Sequence, residues 1–449
     1  MKTLSKTIQP ITGCITLVSL LLGTVPVAHA QTSCAPTDDG TNPCPVVLRR
    51  PPQHPLSAMA EIGKAIFYDK SLSGSGKLSC ASCHDPHNHY GPSGASSVFL
   101  GGSALSDEGK RTIPSLTYLE RQPAFSIGPD DPASEGENAP VLPASTAAAA
   151  HGAKSATNTQ SSATNLVPQG GLFWDGRADT LQQQARGPLY DPAEMASTPH
   201  KVLATLENAP YGEPLKQFAG PAGERSPAFL LDEAMFALAR YQIEESSFHP
   251  YSSKFDDWLE GKDHFTAAEV RGYRLFNDPA KGNCAACHVD TVGRNRLPPL
   301  FTDHQYEALG IPRNKALKKT HDASYYDVGV CDQPADGRFP VGDYCGMFTT
   351  PTLRNAATRK VFFHNGVFHS LDDVMDFYVL RDLQPGRFYS RDSHGKVVLY
   401  DDIPKKYRKN VDVSDAPFDR KPGDKPALTE DERQAIIAFL KTLTDRKSD

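Results

Sequence analysis

Two pentapeptides hold the residues most suited to chemistry: Cys80-Ala-Ser-Cys83-His84 and Cys284-Ala-Ala-Cys287-His288. Two cysteines three residues apart lie on one face of a helical turn. Both thiols can then add to the two vinyl groups of one haem, and the following histidine is carried under the iron as an axial ligand. A zinc site would want a further Cys/His pair at finger-like spacing, and a redox dithiol would want a βαβ setting. The sequence offers neither. It predicts two covalently attached haem c groups on Cys80, Cys83, Cys284 and Cys287, with His84 and His288 as proximal iron ligands. An iron with six protein ligands carries electrons, whereas one with a vacant position binds a small oxidant. The sixth ligand on each iron therefore decides function.

The elements that must position these groups also repeat. Glu61-Ile-Gly-Lys-Ala-Ile-Phe67 precedes the first pentapeptide and Val270-Arg-Gly-Tyr-Arg-Leu-Phe276 the second, as expected of two homologous halves. Thr266 with Glu269 and Thr429 with Glu432 are capping boxes that open helices. After the second box, Ala435, Ile436, Phe439, Leu440 and Leu443 follow helical spacing. Alternating strands are scarce, and 37 prolines punctuate the chain with turns. The expected fold is mainly α, two cytochrome c-like haem domains with long loops. Residues 1–30 read as a secretory signal, with Lys2 and Lys6 ahead of an apolar stretch and a small-residue site at Ala28-His29-Ala30. Residues 31–55 form an N-terminal extension. The first haem domain spans 56–225 with an Ala/Ser/Pro-rich insertion at 128–165, and the second spans 226–449.

Cleavage near Ala30 removes the two lysines, so the formal net charge of −6 becomes −8. An acidic chain without an apolar run of about eighteen residues is expected to have no membrane span and to be a poor nucleic-acid binder, but to suit a basic protein partner. Export places it in the periplasm. Of the 9 cysteines, Cys14 leaves with the signal. Cys34 with Cys44 and Cys331 with Cys345 are close pairs suited to disulfides in an oxidising compartment, although sequence leaves their connectivity open.

From about residue 55 to 445, outside the insertion, the chain resembles the bacterial di-haem cytochrome c peroxidases and their MauG-type relatives. The resemblance rests on Gly63-Lys-Ala-Ile-Phe-Tyr-Asp69, Arg111-Thr-Ile-Pro-Ser-Leu116, Phe173-Trp-Asp-Gly-Arg-Ala178, Gly187-Pro-Leu-Tyr-Asp-Pro-Ala-Glu-Met195, Phe301-Thr-Asp303, Pro351-Thr-Leu-Arg-Asn355 and Phe363-His-Asn-Gly366, in the family's order. It implies that the N-terminal haem is peroxidatic and that Glu194, twenty residues after Trp174, is the general acid/base above it. It also implies that Gln184 and Pro188 line the same pocket and that Trp174 stands between the haems. A carboxylate suits the task, because heterolysis of peroxide moves a proton from the inner oxygen to the leaving one. Two blander roles stand beside these: Glu194 as a first-turn helix carboxylate, and Trp174 as core.

Family members that need prior half-reduction carry a histidine ahead of their Arg-x-x-Pro motif. The stretch from Phe99 to Lys110 has none, and His87 and His89, close to His84, read as solvated loop residues. Fourteen residues after the histidine of Phe-His-x-Gly, the peroxidases place a methionine and the MauG-type enzymes a tyrosine. Here the count from His364 reaches Tyr378, with Met375 the alternative on nearly the same helical face. A phenolate favours ferric or higher-valent iron, a thioether the reduced state. The family's calcium ion uses an Asn where this chain has Thr112, a weaker ligand. Arg111, Arg177 and Arg354 fall in family motifs as candidate partners of haem propionates.

The leading function is a periplasmic peroxidase that reduces hydrogen peroxide to water, with electrons from a small c-type cytochrome or cupredoxin entering through the second, electron-transfer haem. One alternative is a MauG-type oxidase that forms bis-ferryl-like haems and oxidises residues of a protein substrate. The other is a non-catalytic electron-transfer cytochrome with both irons capped.

Overall fold

In the computed structural model the described residues are 34–129, 166–332 and 342–446. The expected signal and nearly all of the insertion lie outside them. Helices dominate. The described sheet consists of three two-stranded antiparallel ribbons, Leu100–Gly101 with Asp107–Glu108, Ser126–Pro129 with Leu166–Gln169, and Tyr306–Glu307 with Phe348–Thr349. The second ribbon joins the two ends of the insertion. The fold is therefore mainly α.

The paired sequence echoes become paired helices. The Ala58–Tyr68 helix starts at Ser57, whose hydroxyl accepts the Ala60 amide, and stops at the extended Asp69. It turns Ile62, Ile66 and Phe67 onto the Pro227–Glu244 helix. The Ala267–Asn277 helix starts with the Thr266/Glu269 capping box and packs in the same way on Glu430–Lys441, whose own box is Thr429/Glu432. The glycine common to both echoes has the same job twice. A Cβ at Gly63 would lie 1.9 Å from the Ala237 carbonyl oxygen, and one at Gly272 would lie 2.0 Å from that of Ala435. Each pair of helix backbones thus crosses in direct contact.

Two separate cores result. The first holds Ile62, Ile66, Phe67, Leu206, Leu238, Tyr241 and Phe248. The second holds Phe255, Trp258, Tyr273, Phe276, Phe301 and Phe439, with Trp258 stacked on Phe265 at 4.6 Å between centroids. The Pro227–Glu244 helix, beyond the expected boundary at residue 225, buries Leu230, Met235 and Leu238 in the first core. Gly220-Pro221 forms a bend within Gly212–Arg225, a segment that packs on the same helix. The N-terminal extension lies against the second core: Leu48 is buried there, and Asn42 donates to the Trp258 and Leu259 carbonyls at 3.1 Å. Cys331 is bonded to Cys345, and Cys34 and Cys44 are disulfide-bonded cysteines as well.

Candidate functional site

Each pentapeptide folds as one tight turn, with the His84 amide bonded to the Cys80 carbonyl at 2.9 Å and that of His288 to Cys284 at 2.8 Å. His84 Nδ1 lies 3.1 Å from the Tyr90 carbonyl oxygen and His288 Nδ1 2.9 Å from that of Phe301. A carbonyl only accepts, so Nδ1 carries the proton and the Nε2 lone pair is left for a metal. Burial pushes both imidazoles down to about 4 and the thiols of Cys80, Cys83 and Cys284 up to about 12. All are therefore neutral near pH 7. Among the described residues no three His, Cys, Asp or Glu side chains are grouped to hold a metal ion, so a zinc site lacks its donors. What fits is haem. Each pair of thiols and its histidine open onto a cavity with apolar walls, Ile66, Phe67, Leu116 and Leu238 in the first and Phe276, Ile311, Val379 and Ile436 in the second.

Glu194, Gln184, Pro188 and Trp174 share the first cavity with His84. Glu194 stands in the turn after the Leu181–Tyr190 helix, its amide bonded to the Asp191 carbonyl and its own carbonyl accepting the Gly102 amide at 2.8 Å. It is not a first-turn helix carboxylate, and that reading falls. Burial, reinforced by Asp191 and opposed by Arg177, raises its carboxyl to about 7.

A second internal repeat, absent from the sequence reading, explains how the two cavities differ. The Leu172 amide bonds the Ala178 carbonyl at 2.7 Å and closes a loop that presents Trp174. The Phe362 amide bonds the Phe368 carbonyl at 3.0 Å and closes a loop that presents His364. Phe173 and Gly176 in one, Phe363 and Gly366 in the other, all have left-handed backbones, φ +69°, +72°, +62° and +63°. Thr180 and Ser370 then cap equivalent helices, Leu181–Tyr190 and Leu371–Leu380. Counting fourteen residues from Trp174 gives Pro188, and from His364 gives Tyr378. One half thus places a proline, with no atom to offer a metal, where the other places a phenol.

Tyr378 lines the second cavity with Cys284, Cys287 and His288. The buried hydroxyls of Tyr118, Tyr306 and Tyr389 are hydrogen-bonded, but among the described residues that of Tyr378 has no such partner. Burial holds the phenol above its usual range. Met375 reaches the same cavity and is otherwise packed in the second core. Trp174 is the only described residue lining both pentapeptide cavities. Its indole donates to the Thr112 carbonyl at 2.8 Å.

Known proteins share these features. Residues 57–264 match the family model for di-haem cytochrome c peroxidase. The chain is 30% identical over 350 residues to the cytochrome c551 peroxidase of Nitrosomonas europaea, across 76% of this chain and 78% of that protein. The chain belongs to the di-haem cytochrome c peroxidase family. This di-haem peroxidase is also 29% identical over 405 residues to the methylamine utilization protein MauG of Paracoccus denitrificans, across 87% of this chain and 89% of that protein. The crystal structure of the diheme peroxidase BthA from Burkholderia thailandensis matches it with a TM-score of 0.74 and 34% identity, over 92% of this chain and 95% of that one. As a family member the chain is a peroxide-using oxidoreductase with two haem c groups.

Several residues of this di-haem peroxidase stand elsewhere than expected. His89 lines a third cavity, which also touches Trp174, whereas His87 is exposed. The Thr112 amide donates to the His364 carbonyl at 2.8 Å and its hydroxyl to the Ser97 carbonyl at 2.8 Å, while its own carbonyl accepts Trp174. That bonding ties the two presenting loops together. The three arginines expected to face propionates are already neutralised. Arg111 bonds Asp327 at 2.7 Å and Asp175, Arg177 bonds Asp175 at 2.9 Å, and Arg354 makes a two-pronged contact with Asp256 at 2.9 and 2.8 Å. Arg359, partly exposed and without an ion pair among the described residues, is an arginine that the sequence did not single out.

Proposed function

We propose that hydrogen peroxide is reduced to water in the cavity shared by His84 and Glu194, with electrons entering through the cavity of His288 and Tyr378 from a small redox protein. The difference between Pro188 and Tyr378 carries this reading. The described lining of the first cavity contains no second histidine and no tyrosine, and its methionines, Met195 and Met235, are packed in the first core. Haem held by Cys80, Cys83 and His84, and by Cys284, Cys287 and His288, would supply one-electron chemistry at both sites. Glu194 takes the proton from one peroxide oxygen and returns it to the other, so that the O–O bond breaks with one water leaving, while two electrons from the redox partner and two protons from solvent turn the remaining oxygen into the second water. A carboxyl near pKa 7 both accepts and donates at neutral pH. Gln184 and Pro188 shape the space beside it. Trp174, on both walls, is the route for electrons between the sites.

The two haem domains correspond to the two cores, divided near residue 250. Two disulfide-forming cysteine pairs and the leader at residues 1–30, cleaved near Ala30, support a periplasmic location. Among the described residues no helix is long and apolar enough to cross a membrane. One observation, Tyr378 in the second cavity, favours the MauG-type alternative, in which peroxide oxidises residues of a protein substrate.

The test is to mix the fully ferric protein with one equivalent of peroxide, follow optical and paramagnetic spectra, and then add a reduced c-type cytochrome. Prompt reaction followed by rapid cytochrome oxidation is expected. Prompt reaction without cytochrome turnover would give the MauG-type reading. Two low-spin irons inert to peroxide would leave an electron carrier.

A further inference from the structure

The third cavity lies beside Trp174 and is lined by, among others, Pro114, His304, Arg354, Asn355 and Arg359. It has two arginines on its described wall and no Asp or Glu. Arg354 is neutralised by Asp256. Arg359 is not: its Nη2 donates to the Ile113 carbonyl at 2.7 Å and its Nε to that of Val361 at 3.4 Å, and no ion pair reaches it among the described residues. Two neutral carbonyls do not balance a full charge. The consequence shows in basicity, since burial lowers Arg359 to about 10 while carboxylate neighbours hold Arg111 and Arg354 above the usual range. A partly exposed guanidinium that meets only neutral carbonyls among the described residues is favoured by an anion seated beside it. Arg359 sits on the side of the first cavity: the Ile113 that accepts its Nη2 lines the cavity of His84, and its Nη1 lies beside Gly91, next to the Tyr90 whose carbonyl holds His84.

We propose that Arg359 is the counter-ion of a carboxylate carried by the haem on His84, and that its charge holds the reduction potential of that haem above what it would otherwise be. The proposal rests on the reading that haem occupies the His84 cavity. Arg359 is a positioning residue: it binds the edge of the group and biases its iron towards the ferrous state, without touching peroxide. A free anion from solvent would satisfy the same guanidinium, and the test separates the two sources.

The full-length mature protein is titrated by spectroelectrochemistry, with haem counted per chain in the pyridine adduct. Arg359→Gln is expected to lower the midpoint of the first haem and leave that of the second in place, at two haems per chain. Arg359→Lys, which keeps the charge but loses the planar fork, is expected to hold the midpoint near the parental value while shifting the haem carboxylate bending band in resonance Raman spectra. That band keeps the idea testable if the glutamine variant fails to mature. An unmoved first midpoint in Arg359→Gln, or an unmoved band in Arg359→Lys, overturns the proposal. So does a parental midpoint that follows chloride concentration at constant ionic strength, which would make the anion a solvent ion. One haem per parental chain, with His84 empty, would instead sink the reading beneath it.

Discussion

A carboxyl group buried near Cys83 with a pKa of about 7 exists in comparable protonated and ionised amounts near neutrality, the condition a proton shuttle needs. Glu194→Gln keeps the shape and removes the titration. The rate of peroxide reaction in stopped flow should fall roughly 10²–10⁴-fold, the usual worth of general acid–base catalysis, with both haems retained. The ionised form takes the first proton, so the parental rate should rise as pH passes upward through about 7, and the variant should lose that rise. Stability runs the other way. The folded pKa exceeds the ordinary 4.5, so the stabilising contribution is full below 4.5 and is lost as pH rises through about 7; the glutamine variant should gain relative thermal stability at alkaline pH. Tyr378→Met exchanges a hard anionic donor for a soft neutral one. It should raise the midpoint potential of the second haem in a spectroelectrochemical titration and leave the first where it was. No change would give the sixth position to another group, with Met375 first in line.

At the scale of elements, a helix crossing and a loop-to-helix unit are each built twice, and each copy places one cavity wall. Glycine makes the crossings possible. A methyl group at Gly63 or Gly272 would press into a backbone carbonyl that cannot swing aside, so Gly63→Ala and Gly272→Ala should each cost at least the roughly 1–3 kcal/mol typical of an overfilled core. Thermal unfolding followed at the Soret band should show the loss. Phe173 and Phe363, at left-handed φ, are bulky residues in a strained conformation costing about 1–3 kcal/mol each. The strain falls beside Trp174 and His364, where the chain turns inward. Thr112 braces both loops at once, which couples the two halves mechanically.

For the whole molecule, charge sets how a partner arrives. With the leader expected at residues 1–30 removed, the net charge of −6 less two lysines becomes −8, which would attract a basic electron donor over a distance that salt shortens to about 10 Å at 0.1 M. Turnover with a lysine-rich c-type cytochrome should therefore show a kcat/KM that falls steeply with ionic strength, while the reaction with neutral peroxide stays flat. Equal salt dependence in both would remove electrostatic steering from the account. The extension around Asn42 and Leu48 is built into the second core and not draped over the first, so it belongs structurally with the Ala267–Asn277 and Glu430–Lys441 helices.

The paired thiols and histidines that open onto the two cavities were legible in the sequence because five consecutive residues on one turn contain all their own geometry. The capping boxes at Thr266 and Thr429 were legible for the same reason. Counts of twenty residues to Glu194 and fourteen to Tyr378 reached side chains that the fold brings into the cavities, since a loop leading into one helix keeps register over that span. The same count run from Trp174 would have exposed Pro188 as the counterpart of Tyr378. Charge compensation was illegible. Arg354 meets Asp256 across 98 residues and Arg111 meets Asp327 across 216, and nothing local distinguishes these arginines from Arg359, which meets no carboxylate. The position of Trp174 on both cavity walls, and of the core boundary near residue 250, was likewise decided only by tertiary packing, because each depends on surfaces contributed by segments far apart along the chain.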